Sequence, residues 1–362
     1  MTSHDTFTFQ AAPTRVVFGA GRVQELAEET RRLGLRRILV IASRRRAAEA
    51  ETVADLLDGA AVAIHAEGEM HVPSRVAQRA VSRALDERAD GCVAIGGGSA
   101  IGLAKAVALS TSLPFVAVPT TYSGSEMTPI WGMTGSDGKV TGRDPRVLPR
   151  TVVYDPALTT MLPAQVSVTS GLNAVAHAAE ALYAHDASPV SSMMAVEGVR
   201  ALWQALPELV VDGADLHHRT RALYGAWLSG ACLGATTMAL HHKLCHILGG
   251  LFDLPHSETH TVLLPHVLAY NLPAAPHAAL ALGDALGTSD VPRTIFNMAE
   301  RLGVPTSLKQ LGLPTGGVEM VVERAMALSV THPRPVSAEA ARTIMHSAFV
   351  GATPGWTSPA TA

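Results

Sequence analysis

The chain is 362 residues long, 48% hydrophobic and 16% charged, with a formal net charge of −3. That length fits two domains of roughly 100–200 residues each, and the near-neutral balance gives no purchase on nucleic acid or on an anionic membrane surface. Its three scattered cysteines (Cys92, Cys232 and Cys245), its polar start from Met1 to Gln10 and its lack of a long apolar run argue against a disulfide framework, a signal peptide and a membrane span, so a reducing, cytoplasmic setting is expected.

Arg15 to Phe18 predicts a strand closed by Gly19-Ala20-Gly21, and Val23 to Leu33 a helix. Further strands are predicted at Arg37–Ala42, Ala61–Ile64, Gly91–Ile95, Pro114–Val118 and Thr151–Tyr154, with helices at Ser74–Arg88 and Ala100–Leu109 between them. Alternation at this spacing implies a parallel sheet covered by helices, an α/β domain over residues 1–158. Beyond Thr159 alanine, leucine and histidine take over. Helices are predicted at Val166–Ala184, Val190–Leu206, Arg219–Leu233, Thr237–Leu251, Val262–Asn271, Ser289–Leu302 and Val318–Leu328, so residues 159–362 form an all-α domain. Ser74 and Ser170 are assigned as helix N-caps. The Pro/Thr/Ser-rich tail from Ala352 is expected to fray.

Residues 96–105 read GGGSAIGLAK, after a strand and at the opening of a helix. Gly96, Gly97 and Gly98 let backbone amides approach a diphosphate, and the helix N-terminus adds partial positive charge. Ser99 caps that helix or bonds a phosphate. The spacing is neither GxGxxG nor a Walker loop, and a plain strand–helix turn is the bland alternative. Residues 119–126 read PTTYSGSE and put Thr120, Thr121, Tyr122 and Ser125 at the carboxyl edge of the next strand, where open parallel sheets bind ligands. A polar loop is the alternative there, and the two loops in this order favour a nucleotide. Ser43, followed by Arg44, Arg45 and Arg46, leaves no acid for an adenosine ribose. That end of the second strand therefore accommodates NADH or NADPH, unless the arginines are only a solvated helix start.

Six of the sixteen histidines fall between Thr237 and Asn271. Asn173 and His177 are four apart and share a helical face, as do His242 with His246 and His241 with Cys245. Asn173, His177, His242 and His256 have the layout of a metal site in which a neutral amide replaces the carboxylate a cation would want. Neutral imidazoles bind zinc or iron, and protonated ones donate to carboxylates and enolates. Lys243 adds positive charge. A set of structural histidines is the alternative.

These features resemble the iron-containing alcohol dehydrogenase family along nearly the whole chain. The matching segments are VVFGAG (16–21), GGGSAIGLAK (96–105), PTTYSGSE (119–126), VVYDPALTTMLP (152–163), SGLNAVAHAAEALYA (170–184), CHILGG (245–250) and PHSETHTVLLPHVLAYN (255–271). The resemblance implies a nucleotide-binding α/β domain, a helical domain and a catalytic cleft, with the metal positions falling on Asn173, His177, His242 and His256. Two departures, Asn173 for Asp and Gly102 where Asp is common, join HHKLCH and His260 in resembling the maleylacetate reductase branch. That branch reduces the carbon–carbon double bond of a small dicarboxylate, maleylacetate, to 3-oxoadipate in bacterial aromatic degradation. The implied cofactor is NADH or NADPH, no metal is required, and a homodimer is expected by analogy. On this reading His177, His242, His246 and His256 are catalytic, protonated imidazoles replacing the cation. Asn173, His241, Lys243 and Tyr122 bind substrate. Ser43, Gly96, Gly97, Gly98, Ser99, Thr120, Thr121 and Ser125 hold the cofactor. A zinc- or iron-dependent alcohol or polyol dehydrogenase is the competing function. A lyase resembling dehydroquinate synthase and a non-catalytic binding protein are the remoter ones.

Overall fold

The computed structural model describes residues 6–135, 138–328, 330 and 333–355, so the expected frayed tail lies largely outside the described residues. Two compact units divide the chain. The α/β unit comprises Ala11–Leu162 with Gly213–Leu223, and the helical unit comprises residues 6–10, Pro163–Asp212 and residues 224–355.

The α/β unit contains β1 (Arg15–Phe18), α1 (Leu26–Arg32), β2 (Ile38–Ser43), α2 (Ala47–Asp55), β3 (Ala61–Gly68), α3 (Ser74–Asp86), β4 (Gly91–Gly96), α4 (Gly98–Thr111), β5 (Phe115–Pro119), β6 (Ile130–Gly135), β7 (Gly138–Arg143) and β8 (Thr151–Tyr154). Six strands pair in the order β1-β8-β5-β4-β2-β3, all parallel. Every residue of β4, β5 and β8 is buried, as expected of a parallel sheet covered on both faces. Ile38, Val40, Val93, Ile95, Val116, Val118 and Val153 build the core on one of those faces. From β2 the chain crosses to β3 on one side, and from β4 to β5 on the other. The topological switch point therefore lies between β2 and β4, and Ser43 and the glycine turn sit at their carboxyl ends. The antiparallel pair β6–β7, which the sequence analysis does not anticipate, stands outside this sheet.

The helical unit contains α5 (Ala164–Leu182), α6 (Pro189–Val211), α8 (Leu240–Phe252), α9 (His256–Asn271), α10 (Pro276–Leu286), α11 (Val291–Arg301), α12 (Gly317–Met326) and α13 (Ala338–Val350); α7 (Leu216–Ala235) ends in it. Every residue from Ser167 to Leu182 is buried, so α5 is the central helix. Leu244, Leu248, Leu263, Val267, Val321 and Ile344 join α8, α9, α12 and α13 in one apolar core.

Three cap assignments are corrected. Pro73, not Ser74, precedes α3, and the Ser74 hydroxyl instead donates to the Thr134 carbonyl at 3.2 Å. Gly97, not Ser99, is the N-cap of α4. Ser170 lies inside α5, whose first residue is Ala164, and its hydroxyl turns back to the Val166 carbonyl at 2.7 Å.

Candidate active site

The α/β unit carries the two loops expected to cradle a nucleotide. At the end of β4, Gly96 has φ +142°, a backbone conformation that side chains rarely adopt, and its carbonyl accepts the Thr120 N–H at 3.0 Å. A Cβ on Gly97 would meet the Thr121 side chain at 2.9 Å, so the two loops can abut only because position 97 has none. No side chain caps α4, which leaves its first amides available to an anion. Thr120 Oγ1 is buried without a protein partner, while Thr121, Ser125 and Ser43 are partly exposed. These features fit a dinucleotide diphosphate. Lys105, fully enclosed in α4, fixes the loop from behind by donating to the carbonyls of Ser125 (2.7 Å), Thr128 (2.9 Å) and Ile130 (2.7 Å). Tyr122 faces inward. It is 0% exposed, and its hydroxyl accepts from buried Arg219 at 3.0 Å, so it braces the loop within this unit. Gly97→Ala is expected to weaken NAD(P)H binding about tenfold, since relieving such an overlap costs about 1–3 kcal/mol. A fluorescence titration with NAD(P)H measures this, and an unchanged dissociation constant would remove Gly97 from the cradle.

The helical unit gathers the histidines. On α5, Asn173, His177 and Glu180 lie at i, i+4 and i+7 and share one buried stripe. Helix α8 contributes His241, His242, Lys243, Cys245 and His246. Helix α9 begins at His256, with Pro255 in the capping position, six residues earlier than the periodicity predicts. That early start puts His256 and His260 one turn apart on the same helix. His242 is the central ring, with centroids 5.0 Å from His177, 4.8 Å from His260, 5.3 Å from His241 and 6.4 Å from His246. His256 lies 4.4 Å from His260 and 6.4 Å from His246. His241 Nε2 and His260 Nδ1 are joined at 2.9 Å. Asn173, His177, His241, His242 and His260 are all buried; His256 and Lys243 are partly exposed and His246 is exposed. Exposure thus rises from the enclosed rings to His256, Lys243 and His246.

Glu180, 0% exposed, is the residue that sequence reasoning missed. It accepts the backbone N–H groups of Ala239 at 3.0 Å and His241 at 2.9 Å, and it lies 2.7 Å from His242 Nδ1. Burial would raise its carboxyl, but the hydrogen bond and charge of His242 hold it down to about 2. His260, noted in the sequence only as an extra histidine, also belongs to the cluster.

The sequence analysis expects several imidazolium ions here, and burial disfavours them. Desolvation, reinforced by the neighbouring imidazoles, pushes His177 and His260 well below the usual histidine range and His241 to about 3. Within the cluster, Asn173 Oδ1, His177 Nδ1, His241 Nδ1, His242 Nε2 and His260 Nε2 are buried with no protein partner. Buried polar atoms of this kind call for a partner from outside the protein: a water, an ion or a ligand.

The donors at the four corresponding positions are one amide and three imidazoles, with no carboxylate, so a divalent cation there would be held by neutral groups, with the imidazoles as its main ligands. Among the described residues, the one His, Cys, Asp or Glu trio with ligand atoms within 4.8 Å of one another is His241, Cys245 and His260, not His177, His242 and His256. In that trio two nitrogens are already hydrogen-bonded to each other, and burial raises the thiol well above its ordinary range.

A doubly wound unit and a helical unit that carries a cluster of imidazoles are compatible with a nicotinamide-dependent oxidoreductase, and the comparisons with known proteins supply that class. Residues 13–156 match the family profile described as iron-containing alcohol dehydrogenase, and residues 167–349 match the C-terminal profile of the same family. The chain belongs to the iron-containing alcohol dehydrogenase family. It is 51% identical over 350 residues to maleylacetate reductase of Burkholderia cepacia, covering 97% of this chain and 99% of that one. Crystal structures of maleylacetate reductases from Agrobacterium tumefaciens and Rhizobium sp. superpose with TM-scores of 0.92 at 48% and 47% identity, each covering 96% of this chain and 99% of the other.

Proposed function

We infer that the chain reduces the carbon–carbon double bond of maleylacetate, giving 3-oxoadipate at the expense of NADH or NADPH, with no metal in the reaction. The observation that carries this reading is the buried cluster of imidazoles about His242, with a neutral Asn173 one turn before His177 on α5, where the family places a metal-binding carboxylate. The nearly full-length similarity to maleylacetate reductases supports the substrate. Gly96, Gly97, Gly98, Ser99, Thr120, Thr121 and Ser125 would hold the cofactor, with Ser43 at the ribose. Bound there, the nicotinamide supplies a hydride.

The hydride forms a C–H bond at the carbon β to the ketone. The π electrons of the double bond move onto the ketone oxygen, and a proton then reaches the adjacent carbon. The balance is one hydride and one proton added to the substrate. An imidazolium at His242, donating from Nε2, delivers that proton. Neutral His177 and His260 and the Asn173 amide offer hydrogen bonds to the enolate without adding charge of either sign. His246, His256 and Lys243, exposed or partly exposed, compensate the carboxylates of the substrate. An amide at position 173 suits a dianion, which a carboxylate there would repel.

The test is NAD(P)H oxidation by the purified protein with maleylacetate beside simple aldehydes and ketones, before and after exhaustive chelation. Turnover confined to maleylacetate and unchanged by chelation is expected. Turnover of alcohols or aldehydes that chelation abolishes would replace this reading with a metal-dependent dehydrogenase.

A further inference from the structure

Glu180 is not among the family's metal positions, yet it is 0% exposed and its carboxylate lies 2.7 Å from His242 Nδ1. It stands where α8 begins. Ala239, the N-cap of that helix, offers no side-chain cap, so the first amides of α8 depend on a partner from elsewhere. Oε2 of Glu180 takes the Ala239 N–H and Oε1 takes the His241 N–H. An anion at a helix N-terminus is favourably placed. The same Oε2 reaches His242 Nδ1 at 2.7 Å, the length of a charge-assisted hydrogen bond.

We propose that Glu180 is the positioning residue of this site, capping α8 and holding His242 as its Nδ1–H tautomer so that Nε2 alone faces the substrate. An ionised carboxylate can only accept, so His242 must donate from Nδ1. Nε2 is left as the exchangeable position, and it is a buried nitrogen with no protein partner. Among the described residues no carboxylate hydrogen-bonds to the other buried rings: His241 Nε2 and His260 Nδ1 pair with each other at 2.9 Å, leaving one nitrogen of each without a protein partner, and His177 stacks on His242 at 5.0 Å. A positive charge that appears on His242 in turnover is balanced in place, without moving an ion into the interior. One side chain thus sets three things: where α8 starts, which way the His242 ring turns, and which of its nitrogens carries the proton. The proposal rests on the maleylacetate reading only for the identity of the reaction.

Imidazole nitrogen shifts in protein labelled with ¹⁵N-histidine distinguish the tautomers directly, and His242→Gln identifies the His242 signals by their loss. In the native protein His242 is expected to show the Nδ1–H pattern, which is the rarer tautomer of a free imidazole. In Glu180→Gln that pattern is expected to be lost. The kcat for maleylacetate should fall about 10²-fold, while KM and the NADH dissociation constant stay within about threefold, in line with the loss of a carboxylate that orients a histidine. An Nε2–H tautomer for His242 in the native protein would overturn the proposal. So would a Glu180→Gln protein whose folded fraction turns over at the native rate, because a purely structural cap predicts that result. If the native protein leaves maleylacetate untouched, the functional reading fails, and the tautomer measurement still decides the role of Glu180.

Discussion

Replacing His242 with alanine is expected to lower kcat for maleylacetate about 10²-fold or more, the usual loss when a positioned proton donor is removed. NADH binding should be unaffected, because the glycine cradle belongs to the other compact unit. The expectation rests on the central place of the ring, with four imidazoles at 4.8 to 6.4 Å and a carboxylate behind it. His246→Ala makes the comparison sharp. His246 is exposed, so its loss is expected to raise KM several-fold with little effect on kcat, as for a group that binds ground state and transition state alike. Steady-state kinetics on both variants, with folding checked by circular dichroism, decide the matter. An unchanged kcat in His242→Ala would hand the proton to a different group.

The second large effect is expected from Asn173→Asp, which restores the family's carboxylate with almost no change in shape. Asn173 is 1% exposed, so a carboxylate there is screened little by water. Repulsion between it and a substrate carboxylate about 5 Å away amounts to about 3 kcal/mol at the effective dielectric of a protein site. KM for the dicarboxylate should therefore rise on the order of 10²-fold. A KM unchanged by Asn173→Asp would show that the substrate's charges lie far from α5, and would remove the electrostatic explanation for the amide.

The sheet was legible because its strands are continuous apolar runs, Ile38–Ala42 and Cys92–Ile95 among them, that only a buried parallel sheet can hide. The hairpin β6–β7 was not. Its residues are mostly half-exposed, with glycines at 132, 135, 138 and 142, and neither an apolar run nor a clean alternation marks it. Helices α10 and α13 escaped because their alanine-rich sequences carry no sharp polar face. In the site, Asn173, His177, His242 and His256 stood out as polar residues in apolar surroundings. Glu180 gave no such signal, since a glutamate in an alanine-rich helix ordinarily points to water. Nothing local reveals that α5 is buried on every side. The early start of α9 was hidden for a related reason: a proline at 255 and another at 265 break the pattern from which a helix boundary is read.

The burial of α5 also decides where this enzyme can vary. From Ser167 to Leu182 every side chain is enclosed, and a Cβ on Gly171 would meet Leu206 at 2.5 Å. Added volume anywhere along that helix displaces Asn173, His177 and Glu180 together. By contrast Lys243, His246, Gly250 and the residues from His256 to Glu258 have at least one face open to solvent. Changes in which dicarboxylates are accepted, such as tolerance of a bulky substituent, should accumulate on α8 and the first turn of α9. The chemistry is held fixed by a helix that has no room to drift.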